Sequence, residues 1–240
     1  ANTSMTMRAT GQGCIPRITR VYMGRKRMMK KISSMLMIFC FVFSLFISVK
    51  AEPSFVDVGE DYWAKEYIDF ICQKGIITDA THFYPEKNIS RGDFIMAVVR
   101  TFEIDKVAYA DAFEDVEKDI YYADYIQTAF DYGLFCGSGN RLCEPNRLIS
   151  RQEMVSIVMR SYDLIRCNTK SQTTFEYSFM VPDDWTDVSE WAQDDVKSAY
   201  EKNIVLGFTD QKFYPNNYAT RAEAATVIVR TMLRGKIYVL

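Results

Sequence analysis

The sequence is poor in the residues on which most metal sites and many enzymes depend. It holds one histidine, His82, and its six cysteines form no Cys-x-x-Cys pair. A structural zinc site combines several such residues, so none is predicted. A Ser-His-Asp set and a glycine-rich phosphate loop are also absent from the sequence. We therefore expect a protein that is not an enzyme, with no catalytic residues, no metal and no cofactor.

Paired acids are the one pattern that could suggest catalysis. Asp183 and Asp184 are adjacent, and so are Asp194 and Asp195. Two carboxylates act together in glycosidases. Adjacent acids on a helix or loop are far more often solvated surface, and we favour that interpretation.

Acidic residues are lacking from the first 51 positions, which hold nine Lys or Arg. Residues 29–51 have two early lysines, an apolar run of about 15 residues and a final Val-Lys-Ala, which is typical of a secretory signal peptide. The run is short for a membrane span of ~20 residues. A retained anchor is the alternative, and the signal segment is the only predicted membrane contact. Residues 1–28 are basic and without periodicity, and they are left unassigned.

The remainder of the chain is acidic. It carries 20 basic and 31 acidic side chains, a net charge of −11. Nucleic-acid binding needs a basic surface, so nucleic acid is not an expected partner. An anionic ligand would have to be bound by local pockets of arginine.

Four cysteines remain after residue 51: Cys72, Cys136, Cys143 and Cys167. Cys136 and Cys143 bracket a short loop, and an exported chain would allow a disulfide between them. A disulfide and reduced thiols are both compatible with the sequence.

Three copies of one unit follow the signal segment. Each contains an Asp-Val pair, then a proline six residues before an arginine, then a second arginine nine residues later. In chain order these residues are Asp57, Asp115 and Asp187; Pro85, Pro145 and Pro215; Arg91, Arg151 and Arg221; and Arg100, Arg160 and Arg230. The predicted repeats are residues 52–104, 105–165 and 185–240, with residues 166–184 as a linker.

Each repeat is predicted to form two helices. The first has apolar residues at helical spacing and ends at Gly75, Gly133 or Asn203, which favour the left-handed conformation. The second begins with a hydroxyl residue followed three positions later by an acid, the pattern of a capping box. A two-helix unit is too small to fold alone, so we expect an all-α domain in which three units pack together.

Helix initiation does not explain the arginine that follows each hydroxyl residue. Arg91, Arg151 and Arg221 would each occupy the first helical position, where a cation opposes the helix dipole. One interpretation is a carboxylate ligand that binds the guanidinium and the free backbone N–H groups at the helix start. The alternative is an ion pair with an acid of a neighbouring repeat, which would fix the packing. The spacing leaves both open.

The ordered motifs resemble the S-layer homology domain. Phe-x-Asp-Val, Gly-Ile-Ile, Phe-x-Pro and Thr-Arg-Ala-Glu follow one another in the family's order across residues 55–233. The resemblance implies an exported, pseudo-threefold helical domain with grooves between its repeats. It also implies non-covalent anchoring to the bacterial cell wall through a secondary cell-wall polysaccharide. The recognised group would be a carboxylate, the pyruvate ketal of a terminal N-acetylmannosamine.

The resemblance also implies the site residues. The three first-position arginines would contact the carboxylate, and Gly137 and Gly207 would lie near the sugar. Repeat one lacks this glycine and has Gly92-Asp93 where Ala-Glu is usual, so we expect its site to be weaker than those of Arg151 and Arg221. Second-rank candidates are Asp57, Asp115, Asp187, Trp63 and Trp191. On the residues alone, these aspartates could instead cap helices and these tryptophans could lie in the core.

A protein-interaction module at the cell surface is the alternative function, since helical repeats often bind proteins along a concave face. A cargo protein is possible, and the sequence does not identify it.

Overall fold

The computed structural model describes residues 55–76, 81–169 and 178–235, with side chains except at 167–169. The unassigned extension and the predicted signal peptide, residues 1–51, lie outside the described residues, as does part of the predicted linker. Within the described ranges, no helix combines the length and apolar character needed to cross a membrane.

The described chain is helical, and its helices come in pairs. Its only extended pairing consists of isolated bridges between repeats. The helices are α1 (Lys65–Gln73), α2 (Arg91–Thr101), α3 (Ala123–Asp131), α4 (Arg151–Thr169), α5 (Glu190–Glu201) and α6 (Arg221–Gly235), with a short 3-10 turn at Trp185–Asp187 before α5. The predicted all-α class with two helices per repeat is confirmed.

The first helix of each repeat ends as its sequence predicts. Gly75, Gly133 and Asn203 have φ angles of 66°, 70° and 54°, in the left-handed region. An asparagine tolerates this region better than other side chains, which is why it can replace glycine. The apolar residue that follows each of them is buried, so the chain turns back onto the core.

The second helix of each repeat begins with a capping box. Glu153 Oε2 accepts from Ser150 N at 2.9 Å, and Glu223 Oε2 accepts from Thr220 N at 2.9 Å. The cap hydroxyls accept in return from the backbone N–H of the acid. In repeat one the shorter Asp93 accepts instead from the hydroxyl of Ser90, at 2.7 Å.

The repeats close into a ring about a pseudo-threefold axis. Ile89 N donates to Ala219 O (3.0 Å), Ala219 N donates to Ile149 O (2.9 Å), and Ile149 N donates to Ile89 O (3.2 Å). These residues directly precede the three cap residues, so each repeat donates one bond and accepts one. One continuous hydrophobic cluster runs through all three repeats behind this triangle.

Candidate ligand-binding grooves

The backbone N–H groups at the starts of the second helices are occupied. The arginine amides donate to carbonyls of the next repeat: Arg91 N to Arg147 O, Arg151 N to Asn217 O, and Arg221 N to Lys87 O, at 2.8–2.9 Å. The amide after each arginine donates to the carbonyl of Pro145, Pro215 or Pro85. The expectation of free N–H groups waiting for a carboxylate is therefore wrong, because the neighbouring repeat supplies the acceptors.

Two of the three arginines pair with an acid of the next repeat. Arg91 Nη1 lies 2.8 Å from Glu153 Oε1, and Arg151 Nη1 lies 2.5 Å from Glu223 Oε1. Arg91 also donates to the carbonyl of Cys136. The two arginines are only 5% and 6% exposed. For these two positions the structure shows the packing role that the sequence left as an alternative.

Arg221 closes the ring differently. Its Nε donates to the carbonyl of Phe83 at 2.7 Å, and its guanidinium lies over the Phe83 ring. No carboxylate of the described residues lies within 4.0 Å of it. The acid at the corresponding place is Asp93, which is shorter than glutamate and accepts instead from Ser90 and Tyr121.

Glu153 is the most strongly bonded acid of the site. It accepts from Arg91, from two nitrogens of Arg147 and from Ser150. Burial alone would raise its pKa, but the hydrogen bonds from Arg147 and Ser150 and the charge of Arg91 lower the pKa of Glu153 to about 2. Repeat three has Asn217 in place of Arg147, so Glu223 has one guanidinium partner rather than two.

A cavity of about 550 Å³, the Arg91 groove, opens between repeats one and two. Repeat one contributes Arg91, repeat two contributes the loop after α3 and one face of α4, and repeat three contributes Trp191. Its lining consists of Arg91, Phe135, Cys136, Gly137, Ser138, Gly139, Glu144, Arg147, Glu153, Ser156, Ile157, Arg160 and Trp191.

A second cavity of about 480 Å³, the Arg151 groove, is its counterpart between repeats two and three. The remaining repeat again supplies a tryptophan, here Trp63 of repeat one. Its lining consists of Trp63, Glu86, Arg151, Met154, Ile204, Val205, Leu206, Gly207, Phe208, Thr209, Thr220, Glu223, Thr226, Val227 and Arg230.

Each groove combines an arginine of one repeat with the glycine loop and the acid of the next. Arg91 therefore faces Gly137 and Glu153, which are both present. Repeat one, which lacks the loop glycine and has Asp93 in place of glutamate, is the repeat that faces Arg221. These two differences therefore affect the Arg221 site and not the Arg91 groove. The sequence-based ranking placed Arg91 last because it paired each arginine with the loop of its own repeat. Residues 77–80, in the repeat-one loop, lie outside the described residues.

The two predicted glycines, Gly137 and Gly207, lie in the groove walls. Their backbones are packed too tightly to leave room for a side chain. A methyl group added at Gly137 would lie 2.6 Å from Leu142 O and 2.7 Å from the Phe113 ring. At Gly207, where φ is +74°, it would lie 2.9 Å from the Tyr200 hydroxyl.

The tryptophans lie at the groove rims, so the core alternative for them is wrong. Trp63 is 56% exposed and Trp191 is 54% exposed. Each lies twelve residues before the residue that ends its helix. Tyr121 holds this place in repeat two and is 62% exposed. Tyr121 was not among the predicted site residues, although its spacing of twelve residues from Gly133 would have identified it.

The candidate aspartates stabilise the loops before the second helices and line neither groove. Asp57 accepts from Phe83 N and Tyr84 N, and Asp115 accepts from Cys143 N and Glu144 N, at 2.6–2.8 Å. They are therefore not helix caps. In repeat three the same two bonds are accepted by Asp184, from Phe213 N and Tyr214 N.

The predicted equivalence of Asp187 with Asp57 and Asp115 is therefore wrong, because Asp184 holds that place in repeat three. Asp187 lies in the 3-10 turn, and the chain takes a longer path here from Asp184 to Val188. Val188 is buried, as Val58 and Val116 are. The Asp-Val dipeptide therefore recurs in repeat three, but Asp187 does not bind the loop as Asp57 and Asp115 do.

Cys136 and Cys143 are free thiols, so the disulfide that the sequence left open is not formed. Cys136 is exposed in the wall of the Arg91 groove. Cys143 is buried, and burial raises the pKa of its thiol to about 11.

Comparison with known proteins gives a consistent result. The S-layer homology domain family matches residues 54–95, 112–155 and 183–225, more than half of the chain. The chain is 33% identical over 183 residues to exoglucanase XynX of Acetivibrio thermocellus, covering 75% of this chain and 16% of that protein. It is 31% identical over 185 residues to an S-layer protein of Bacillus thuringiensis subsp. finitimus, and 30% identical over 185 residues to S-layer protein sap of Bacillus anthracis. Each of these two matches covers 75% of this chain and 21% of the relative, so the chain spans about a fifth or less of these proteins.

Proposed function

Because the chain belongs to the S-layer homology domain family, whose members anchor proteins to the cell wall, we propose that it binds an acidic wall polysaccharide in the Arg91 and Arg151 grooves. Family membership makes it a secreted protein attached to the wall at the cell surface. The ligand and the groove residues are the proposal.

The observation that carries the proposal is that each groove has a buried arginine in its lining and an exposed tryptophan at its rim. An aromatic face packs against the apolar face of a sugar ring, and a guanidinium binds a carboxylate through charged hydrogen bonds. The cavity volumes are in the range of small-molecule sites. The glycine loops bring backbone close to this space.

The ion pairs orient the arginines and leave donors for a ligand. Arg151 uses Nε and Nη1, while its Nη2 has no acceptor among the described residues. Arg91 uses Nη1 and Nη2, and its Nε is buried without a partner among the described residues, so Arg91 offers a ligand its positive charge rather than this donor. A guanidinium held in place by Glu153 or Glu223 loses little further freedom when a ligand binds. These glutamates also line the grooves, where they can accept from sugar hydroxyls.

Following the family resemblance, we propose that the acidic group is the pyruvate ketal of a terminal N-acetylmannosamine. The Arg221 site is proposed to be the weakest of the three, because its partner repeat lacks both the glycine and the glutamate. Asp57, Asp115 and Asp187 are proposed to have no direct ligand contact.

We also propose that the chain itself has no enzymatic activity. Its relatives include an exoglucanase and an amylopullulanase, of which it spans 16% and 10%. Arginines hold Glu144, Glu153 and Glu223. The low pKa of Glu153 is unsuited to donating a proton at neutral pH.

Sedimentation of the purified protein with protein-free cell walls tests the proposal. We expect it to sediment with walls that carry the pyruvylated polysaccharide, and to stay in solution when the pyruvate has been removed by mild acid. Binding that survives depyruvylation would exclude the pyruvate ketal. A protein-interaction module would bind neither preparation.

The rim tryptophans provide the matched variants. Trp63→Ala and Trp191→Ala should each weaken wall binding several-fold, because each removes the aromatic face of one groove. The exposed Tyr132 lines neither groove, so Tyr132→Ala is the control. All three changes are at the surface and should alter the free energy of unfolding by less than about 0.5 kcal/mol. Tryptophan variants that bind like the control would argue against the grooves.

A further inference from the structure

The second arginine of each repeat has no role in the proposed function so far. Arg160 lies in the Arg91 groove and Arg230 in the Arg151 groove, at equivalent places on α4 and α6. Arg160 Nε lies 3.6 Å from Asp195 Oδ2, whereas Arg230 Nε donates to the hydroxyl of Tyr67 at 3.3 Å. Tyr67 and Asp195 are themselves equivalent, since each lies eight residues before the residue that ends its helix. One groove thus has an acid where the other has a neutral phenol.

Arg230 has no acidic partner in the described ranges of the chain. No carboxylate of the described residues lies within 4.0 Å of it, and its two Nη groups have no acceptor in the described part of the chain. Its guanidinium lies 5.3 Å from the centre of the Tyr67 ring, a cation–π contact that holds it in place. A fixed guanidinium with spare donors is suited to binding an oxyanion.

The Arg151 groove continues beyond Arg230 into a further cavity. This outer cavity, of about 490 Å³, is lined by Tyr67, Asn203, Leu206, Arg230, Leu233 and Arg234. It shares Leu206 and Arg230 with the groove. Its described lining includes two arginines and no acid, while the groove itself includes Glu86 and Glu223. From Glu223 to Arg230 the helix rises about 10 Å, which is longer than one sugar ring.

The corresponding end of the Arg91 groove is not positive. Asp195 faces Arg160 there, and Asp163 and Asp194 are close enough to act on Asp195 electrostatically. An anion placed beside Arg160 would meet these acids.

We propose that the Arg151 groove and the outer cavity together bind consecutive acidic sugars of one polymer, with a second oxyanion, carboxylate or phosphate, at Arg230. The inference rests on the proposed function, because it extends the same binding site. The Arg91 groove accepts an uncharged sugar at the equivalent position. The two grooves therefore select different stretches of the polysaccharide.

Three variants of the full protein isolate this charge. Arg230→Gln removes it, Tyr67→Asp installs the acid of the other groove, and Asp195→Asn removes that acid from the Arg91 groove as the matched control. The probes are three tetrasaccharides: neutral N-acetylglucosamine, alternating N-acetylglucosamine and glucuronic acid, and N-acetylglucosamine bearing phosphate monoesters. Titration calorimetry gives their affinities.

We expect the wild type to bind one acidic tetrasaccharide at least about tenfold more tightly than the neutral one, because Arg230 adds one charged hydrogen bond to the contact made by Arg151. Arg230→Gln and Tyr67→Asp should lower this preference by about tenfold and leave the share that Arg151 supplies, whereas Asp195→Asn should keep it or increase it. The acidic probe that loses affinity in Arg230→Gln identifies the oxyanion as carboxylate or phosphate.

Two results would overturn the inference: a wild type without preference for either acidic probe, or variants at Arg230 and Tyr67 that keep the full wild-type preference. Wall sedimentation separates these failures from failure of the proposed function. If the wild type sediments with pyruvylated walls and Trp63→Ala weakens this, the groove function stands and only the second subsite is lost. If the wild type does not sediment, the proposed function itself fails.

Discussion

Arg91 and Arg151 occupy the same position in neighbouring repeats, but the glutamates that they bind differ in their other partners. Glu153 has Arg147 as a second partner, whereas Arg151 is the one ionic partner of Glu223 among the described residues. Removing one member of a buried ion pair leaves the other charge uncompensated, which is strongly destabilising. The contribution of each arginine to stability is therefore set by its partner's environment.

Urea denaturation of two variants should show this difference. Arg151→Ala is expected to lower the free energy of unfolding by about 3 kcal/mol, because it removes the buried arginine that pairs with Glu223. Arg91→Ala should lower it by less, because Glu153 remains bonded to Arg147. Equal losses, or a greater loss from Arg91→Ala, would contradict this account of the two ion pairs.

At the scale of the helix, the acid of each capping box has two tasks. Glu153 accepts the backbone N–H of Ser150 at the start of α4, and it also binds arginines from two repeats. Glu153 therefore both caps its own helix and joins two repeats. Protonation of this one group should weaken both.

The pKa of Glu153 makes stability depend on pH. Its usual pKa of 4.5 is lowered to about 2 in the folded protein, so the folded state favours the ionised form. The stabilisation is complete above about pH 4.5 and is lost as pH falls towards 2, by on the order of 2 kcal/mol. Glu153→Gln should remove this contribution, and its unfolding free energy should vary less with pH over that range. An unchanged pH dependence in the variant would exclude Glu153 as the source.

Two constraints favour glycine in this fold, a positive φ angle and close packing of the backbone. Gly75 has only the first and Gly207 has both. Both have positive φ, but a methyl group at Gly75 would meet no atom within 4 Å, whereas at Gly207 it would meet the Tyr200 hydroxyl. Gly75→Ala should cost about 1 kcal/mol from backbone strain alone. Gly207→Ala should cost more and should also weaken wall binding, as measured by thermal unfolding and sedimentation. A larger stability loss from Gly75→Ala would contradict this assignment.

At the scale of the whole molecule, every repeat depends on both of its neighbours. The backbone triangle, the capped arginine amides and the arginine side chains all join one repeat to the next. A repeat that unfolded alone would expose acceptors and acids of the remaining two. The domain should therefore behave as one cooperative unit.

Equilibrium unfolding followed by two signals tests this cooperativity. Tryptophan fluorescence reports on repeats one and three, because Trp63, Trp185 and Trp191 lie there, while far-ultraviolet circular dichroism reports on all six described helices. We expect the two denaturation curves to coincide. A fluorescence transition that precedes the loss of helix would indicate that repeats unfold separately.

Much of the fold and part of the site could be predicted from single repeats. The helix ends at Gly133 and Asn203 and the capping boxes are local signals, which act within a few residues and hold in any context. Asp184 could not be found in this way, because its partners lie about thirty residues further along the chain and the Asp-Val spelling pointed to Asp187. The exposure of Trp63 was equally hidden, since helical spacing does not show which face a neighbouring repeat covers.

The sequence by itself determined the number of repeats, the two helices in each and the family, because these follow from periodicity, caps and ordered motifs. Only the tertiary structure decided which acid and which glycine face each arginine. Ring closure places the loop of one repeat against the helix start of another, and no spacing within a repeat records that neighbour. For the same reason, only the structure shows that Arg230 has a phenol where Arg160 has a carboxylate.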